Sequence, residues 1–395
     1  MGPVQILQIH ERQKIYDLIA ETGCDPAGTA LMVPKALQYL IRIAEVPAKA
    51  ANLLKQEMLA KGGDCAVSRR TCSLEVETTT AILIGTEKQY KALLQKLKMQ
   101  PFGLPAVGEQ IRLALQRYEQ SRYRDLSCRG KTITLGNRTQ IMGILNLTPD
   151  SFSDGGSYND IEKALQKMEE MIAEGADIID VGAESTRPGA VALTAEEEIE
   201  RLKPFLPELV RHCPVPISID TYKSKVARFA LEQGVHILND VWGLRHDREI
   251  ASLAAYYGVP LILMHNQIET NYKDLMAEII KALEEAIEWA LQAQVPEEAL
   301  VVDPGIGFGK TYEQNLEVMA RLSEFRVLGK PILLGTSRKS LIGNTLHLPV
   351  TERLEGTLAT SVYGIMSGAD ILRVHDIQAH VRAAKMTDAL VRRVK

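Results

Sequence analysis

A (β/α)8 barrel preceded by a small α+β domain is the fold this sequence predicts, on three observations. Eight short apolar runs follow one another between about Gly130 and the C-terminus, amphipathic stretches separate them, and glycine closes several of those stretches. Each run is rich in Ile, Leu and Val without polar alternation, which fits parallel strands buried on both faces. A doubly wound open sheet also alternates in this way. It seldom needs eight consecutive repeats, however, and no Gly-x-Gly-x-x-Gly follows the first strand.

The runs, in order, are QIMGILN, DIIDVG, PISID, HILND, PLILMH, LVVDPG, PILLGTS and DILRVHD. Between them, TAEEEIERL places Thr194 and Glu197 at capping-box spacing, and in TERLEGTLATSVYGIM Thr351 is the expected cap. Gly175, Gly234, Gly258 and Gly368 each stand just before the next strand, where a left-handed residue ends a helix. Residues 1–129 read differently. ANLLKQEMLAKGGDCAV is a helix running into a strand, TTAILIGT is a strand, and EKQYKALLQKLKMQ and GEQIRLALQRYEQ are amphipathic helices. No chemical motif falls there, and Arg69, Arg70 and the scattered lysines read as solvated surface. RYRDLSCRGKTITLGNRT connects this domain to the barrel as a lead-in strand or hairpin, which places the boundary at 129/130.

The formal net charge of −4 in 395 residues gives no pull toward nucleic acid or an anionic membrane, so any bound anion needs a local cluster of cations. The five cysteines show no CxxC spacing and no neighbouring histidines, which argues against a disulfide frame or a zinc site and for a reducing compartment. No apolar run reaches the ~18 residues that span a bilayer, and the start of the chain lacks a signal-peptide pattern. A cytoplasmic protein is the expectation.

Barrel enzymes place their chemistry at the carboxyl ends of strands. Here those ends carry Asn146, Asp180, Asp220, Asn239 with Asp240, His265, Asp303, then Ser337, Arg338 and Lys339, and finally Arg373 with His375. Taken singly, Asn146 or Asp220 could cap the following helix, His265 could be a core histidine, and Arg373 could pair with Asp376. Taken as a ring they converge on one mouth, where such a concentration of charge needs a ligand to offset its burial. Asp180, Asp220, Asn239 and Asp303 suit a ligand rich in N–H donors, such as an aminopyrimidinone edge. Arg373, His375, Arg187 and Asn146, from adjoining strands, form a cationic pole suited to phosphate, with Asn146 available to magnesium. The implied substrate is a flat nitrogen heterocycle bearing a phosphate or pyrophosphate.

MGILNLTPDSFSDGG, IIDVGAESTRPGA, ISIDTYK, ILND, LVVDPGIGFGK, LLGTSRKSLIGN and LRVHD, in that order, resemble dihydropteroate synthase, the sulfonamide-inhibited family of the folate pathway. The resemblance covers about residues 130 to 395. It implies condensation of 6-hydroxymethyl-7,8-dihydropterin pyrophosphate with p-aminobenzoate, by an SN1-like displacement assisted by Mg2+, in a homodimer paired through the last barrel helices. By position, Asp220, Asn239, Asp303 and Lys339 hold the pterin, Arg373 lies against its ring and Asp180 supports it from beneath. Asn146, Arg187, Arg373 and His375 grip the pyrophosphate. Phe152, Thr186, Pro188, Phe308, Ser337 and Lys339 line the p-aminobenzoate slot, with Asp154 near the incoming arylamine. LTPDSFSDGG and ESTRPGA are expected as flaps over the mouth. A departure follows His265, where NQIETNYKDL replaces the family's apolar residue and Gly/Pro loop, so Asn266 alters the packing beneath the pterin. The rival readings are a pterin-binding methyltransferase, which has no use for a pyrophosphate grip or for SRKS, and a catalytically silent pterin-binding protein.

Overall fold

The computed structural model describes residues 2–7, 9, 11–120, 123–147, 158–184 and 192–392. Two compact units are present, Met1–Gln116 and Arg117–Lys395. The first contains α1 (Arg12–Ala20), α2 (Pro26–Ala36), β1 (Gln38–Pro47), α3 (Ala48–Leu59), β2 (Asp64–Ala66), β3 (Thr78–Thr86), α4 (Glu87–Leu97) and the greater part of α5 (Leu104–Glu119). Its strands pair antiparallel in the order β1-β3-β2. Along β3, Thr79, Ala81, Leu83 and Gly85 are buried and their neighbours are not, the period of two that puts alternate side chains on one face. That face meets Leu54 and Met58 of α3 and Tyr90 and Leu93 of α4. A Thr86–Gln89 capping box starts α4. The elements expected from the sequence are all present, and α1, α2 and β1 join them.

The second unit opens with a hairpin, β4 (Arg124–Cys128) and β5 (Lys131–Leu135), whose turn is Arg129 and Gly130, both at positive φ. The compact units therefore divide ahead of the expected 129/130 boundary, which falls in the turn of this hairpin. There follow β6 (Gln140–Asn146), α6 (Tyr158–Ala173), β7 (Ile178–Gly182), α7 (Ala195–Leu202), α8 (Leu206–His212), β8 (Ile217–Asp220), α9 (Ser224–Glu232), β9 (Ile237–Asp240) and α10 (Glu249–Tyr257). The chain continues through β10 (Leu261–Met264), α11 (Leu275–Gln292), β11 (Leu300–Asp303), α12 (Tyr312–Ala320), β12 (Leu333–Leu334), α13 (Ser340–Leu346), α14 (Leu354–Ser367), β13 (Ile371–Val374) and α15 (Ile377–Val391).

Strands β6 to β13 are all parallel to their neighbours, in the order β11-β10-β9-β8-β7-β6-β13-β12. A parallel bridge from Val302 to Ile332 joins β11 to the approach of β12 and closes the ring. Gly175, Gly234, Gly258 and Gly368 all adopt positive φ. The capping box of Thr194 and Glu197 opens α7 as expected. Thr351 does not cap α14, because Val350–Glu352 forms a 3-10 turn and the helix begins after Arg353.

Alternation inside the strands separates floor from mouth. Met142, Ile178, Ile237, Ile262, Val301, Leu333 and Ile371 cluster inside the barrel with Leu126, Cys128, Ile133 and Leu135 of the hairpin, which plugs the amino-terminal end. The residues between them, such as Ile179, Leu238, Val302 and Leu372, pack outward against the helices. Two positions beyond Ile178, Ile237, Val301 and Ile371, on the same face, stand Asp180, Asn239, Asp303 and Arg373, so in these four strands the pleat that buries the apolar floor delivers a polar group to the cavity above it.

Candidate active site

Arg373 is the centre of the mouth. Its Nε donates to Asp180 Oδ2 and its Nη2 to Asp220 Oδ2, each at 2.6 Å, and Asn239 Nδ2 donates to the same Asp180 oxygen at 3.3 Å. Both carboxylates are almost fully buried. Burial disfavours the Arg373 charge, but Asp180 and Asp220 outweigh it and hold the guanidinium firmly protonated. The other carboxylate oxygens, Asp180 Oδ1 and Asp220 Oδ1, are buried with no hydrogen-bond partner among the described residues. A carboxylate oxygen held that way is costly unless a donor arrives.

Asn146 closes the same wall, with Oδ1 above Gly182 beside Asp220, since a Cβ built on Gly182 would lie 3.9 Å from that oxygen and 3.6 Å from Asp220 Cβ. Opposite, Asp303 is buried and accepts from Gly305 N at 2.7 Å. Burial raises its carboxyl, and the charge of Lys339 opposes the rise. Lys339 donates to Ile306 O and lies 4.5 Å over the Phe308 ring, and burial lowers its ammonium to about 8, against the attraction of Asp303. His375 N donates to Ser337 Oγ at 3.2 Å, and the same hydroxyl is hydrogen-bonded to His375 Nδ1 at 2.9 Å, which fixes the imidazole at the mouth.

Asp240 and Arg338 of the expected ring turn elsewhere. Asp240 is one position out of phase with Asn239 and accepts from Trp242 N and Leu244 N at 2.8 and 2.6 Å, a turn rather than a pocket group. Arg338 pairs with Asp376, not with a ligand site, so Arg373 is released to face the two carboxylates. Neither helix-cap reading holds. Ser224 N, at the start of α9, is taken by Asp247 rather than Asp220, and Asn146 lies well before α6. Phe152, Asp154, Thr186, Arg187 and Pro188, and with them both expected flaps, lie outside the described residues.

Two lysines that the sequence reading passed over belong to the same rim. Lys223, three residues past Asp220, is ion-paired with Glu184 at the end of β7 and, at 2.6 Å, with Glu198 of α7. Lys310 is buried and donates to His265 Nδ1 at 3.0 Å, so His265 belongs to the wall behind Asp303 and not to the open mouth. Asn266 is buried beside it, and its loop is tied down by Tyr272 Oη to Gly309 O and Gln314 Nε2 to Thr270 O, at 2.7 and 2.8 Å. Lysine after three alternating glycines, in GIGFGK, was the available signal for Lys310.

The chain matches the pterin-binding enzyme family over residues 142–375. A dihydropteroate synthase of Clostridium beijerinckii is 56% identical over 264 residues, 67% of this chain and 98% of that protein. A probable bifunctional folylpolyglutamate synthase/dihydropteroate synthase of Halobacterium salinarum is 38% identical over 380 residues, which is 94% of this chain and 45% of that longer protein. The solved dihydropteroate synthase of Clostridium difficile, crystallised in the presence of pteroic acid, is 52% identical with a TM-score of 0.64, covering 66% of this chain and 99% of its own.

Proposed function

From the premise that the chain belongs to the dihydropteroate synthases, within the pterin-binding enzymes, we propose how its described residues divide the work. The reaction condenses 6-hydroxymethyl-7,8-dihydropterin pyrophosphate with p-aminobenzoate to give 7,8-dihydropteroate and pyrophosphate. The observation that carries the assignment of roles is the pair of buried oxygens on Asp180 and Asp220, unpartnered among the described residues, flanking Arg373. An aminopyrimidinone edge supplies the N–H donors that such oxygens lack. Asp220, Asn239, Asp303 and Lys339 hold the pterin, Asp180 supports it, and Arg373 lies against its ring while reaching the pyrophosphate with Asn146, Arg187 and His375. Phe308, Ser337 and Lys339 bound the p-aminobenzoate slot with Phe152, Thr186 and Pro188, and Asp154 stands by the amine.

Breaking the C–O bond leaves negative charge on pyrophosphate, where Arg373, Arg187 and His375 stabilise it. The methylene left behind is a cation delocalised into the pterin, and Asp180, Asp220 and Asp303 favour its positive charge. This electrostatic division supports a dissociative displacement. No group of three acidic, histidine or cysteine side chains able to hold a metal occurs among the described residues. Asn146 offers a single neutral oxygen, which fits magnesium carried mainly by substrate phosphates, because that ion keeps several waters and takes few protein ligands. Bound there, it would supply further neutralisation of the departing pyrophosphate.

A homodimer belongs to the same proposal. Tyr363 and Met366 on α14, and Met386 and Leu390 on α15, are exposed large apolar residues on the last barrel helices. Light scattering that returns a single-chain mass would reject it. No described helix is long and apolar enough to cross a membrane, and all five thiols are free, which supports cytoplasmic residence; recovery in a membrane or extracellular fraction would count against it.

The decisive assay supplies pterin pyrophosphate, magnesium and labelled p-aminobenzoate and follows labelled dihydropteroate. Deuterium at the reacting methylene should give a secondary isotope effect clearly above unity. An effect near unity means a tight displacement and removes the dissociative mechanism, while absence of product removes the synthase reading altogether.

A further inference from the structure

We propose that Lys310 is a positioning residue: its ammonium holds the loop between β11 and α12 in the shape that sets Phe308 and the Ile306 carbonyl against Lys339, and so fixes the wall of the p-aminobenzoate slot. The proposal rests on the reading that Phe308 lines that slot.

The loop turns through left-handed backbone at Gly305, Gly307 and Gly309, with φ of 69, 84 and 55°. Between residues 304 and 310 a single backbone hydrogen bond is formed internally, from Phe308 N to Gly305 O at 3.1 Å. Side chains supply the rest of the order. Lys310 Nζ donates to Gly305 O at 2.9 Å, to Phe308 O at 3.0 Å and to His265 Nδ1 at 3.0 Å, which uses the three donors of an ammonium on three acceptors. Burial, reinforced by the charge of Lys310, pushes the His265 imidazole far down, to about 2, so the ring stays neutral beside the ammonium. From the other side Tyr272 Oη holds Gly309 O, and Asn315 Oδ1 takes Gly307 N at 2.7 Å.

Lys310 is 9% exposed, and all three hydrogen-bond partners of its ammonium are neutral. Burial lowers its own pKa to about 7, so this charge is carried at a cost. A methionine would fill the same volume without that cost. What the charge accomplishes is the gathering of two carbonyls from opposite ends of a glycine-rich turn onto the residue that follows β10. Phe308 supplies the second of those carbonyls, and the Lys339 ammonium stands over its ring. The charge of Lys310 also favours the ionised form of Asp303 at the root of the loop.

The test compares full-length Lys310→Met and Phe308→Ala with the wild type by steady-state kinetics in both substrates. Lys310→Met should raise the KM for p-aminobenzoate about tenfold while changing the KM for pterin pyrophosphate by less than about threefold, because the lost hydrogen bonds are charge-assisted and act on one wall. Phe308→Ala should show the same split. If Phe308→Ala splits the two constants and Lys310→Met leaves them unchanged or raises them together, positioning is overturned while the slot reading stands. If Phe308→Ala shows no split, the slot reading fails and takes the proposal with it. Should Lys310→Met not fold, Tyr272→Phe removes only the hydroxyl at Gly309 O and is expected to give a split of about threefold in the same direction. An unfolded Lys310→Met together with an unsplit Tyr272→Phe assigns the lysine to stability alone and overturns the proposal.

Discussion

At Asp220 one guanidinium faces two buried carboxylates, leaving a net negative charge where burial penalises it. Burial accordingly raises the Asp220 carboxyl to about 7, against the pull of Arg373. A carboxyl raised above its unfolded value of about 3.9 takes up a proton on folding, so the stability it contributes is present at low pH and lost as pH rises from about 4 to about 7. Thermal melting of the unliganded wild type should therefore lose stability over that window relative to Asp220→Asn. Substrate affinity runs the other way. The pterin edge needs ionised acceptors, so the KM for pterin pyrophosphate should rise by up to about tenfold per unit as pH falls below about 7, as for a single proton. In Asp220→Asn that KM should be high and flat; a persisting pH dependence there assigns the titration to another group. Much of this cluster was legible in the sequence, because period-two alternation carries Asp180, Asn239, Asp303 and Arg373 to the mouth two places past the floor residues Ile178, Ile237, Val301 and Ile371. The partners were not. Nothing in a linear string says that Arg373 chooses Asp180 and Asp220 over Asp376, or that Lys223 and Lys310 reach across loops far apart in the chain.

Elements were easier to read where local chemistry decides them. Thr194 and Glu197 form their reciprocal cap because each satisfies the other's free donor within one turn. Thr351 misled because the guanidinium of Arg353 is committed to Leu348 O, Arg338 O and Lys339 O, which fixes the helix entry after the 3-10 turn. Strand β1 was missed because it is an edge strand, mostly exposed, with Arg42 inside it and a register shift beyond Ile43 where Glu45 takes positive φ. Two glycines separate a helix-ending role from a close-approach role. At Gly258 a Cβ meets nothing within 4 Å, so Gly258→Ala should cost only the left-handed penalty of roughly 1–2 kcal/mol. At Gly305 a Cβ would lie 1.9 Å from His265 O, a backbone atom that cannot step aside, so Gly305→Ala should cost about 4 kcal/mol or more. Denaturant midpoints for the two variants test the contrast, and equal losses would mean that the β11–α12 loop yields more readily than its hydrogen bonds imply.

For the whole molecule the consequence lies at the boundary between units. Every described site residue belongs to Arg117–Lys395, so the second unit contains the described chemistry and the first contributes no group to it. A chain cut at Gly130 would nonetheless fail as a test of independence, since it severs β4 from β5 in the turn of the hairpin. Leu126 and Cys128, 2% and 0% exposed, would leave the barrel floor, and β5 would lose β4, the strand it pairs with. Losing that burial should cost about 4 kcal/mol, or roughly 10 °C of melting temperature in a unit of this size. A chain beginning at Arg117 keeps the hairpin and also the Tyr118 ring, over which the Arg326 guanidinium sits at 4.2 Å. It should retain kcat and both KM values within about twofold of the full chain, with the shorter chain melting well below it. Equal melting of the two truncations would show that the plug contributes little to the floor. Loss of turnover in a well-folded chain from Arg117 would instead give the first unit a part in the reaction that its own residues do not suggest.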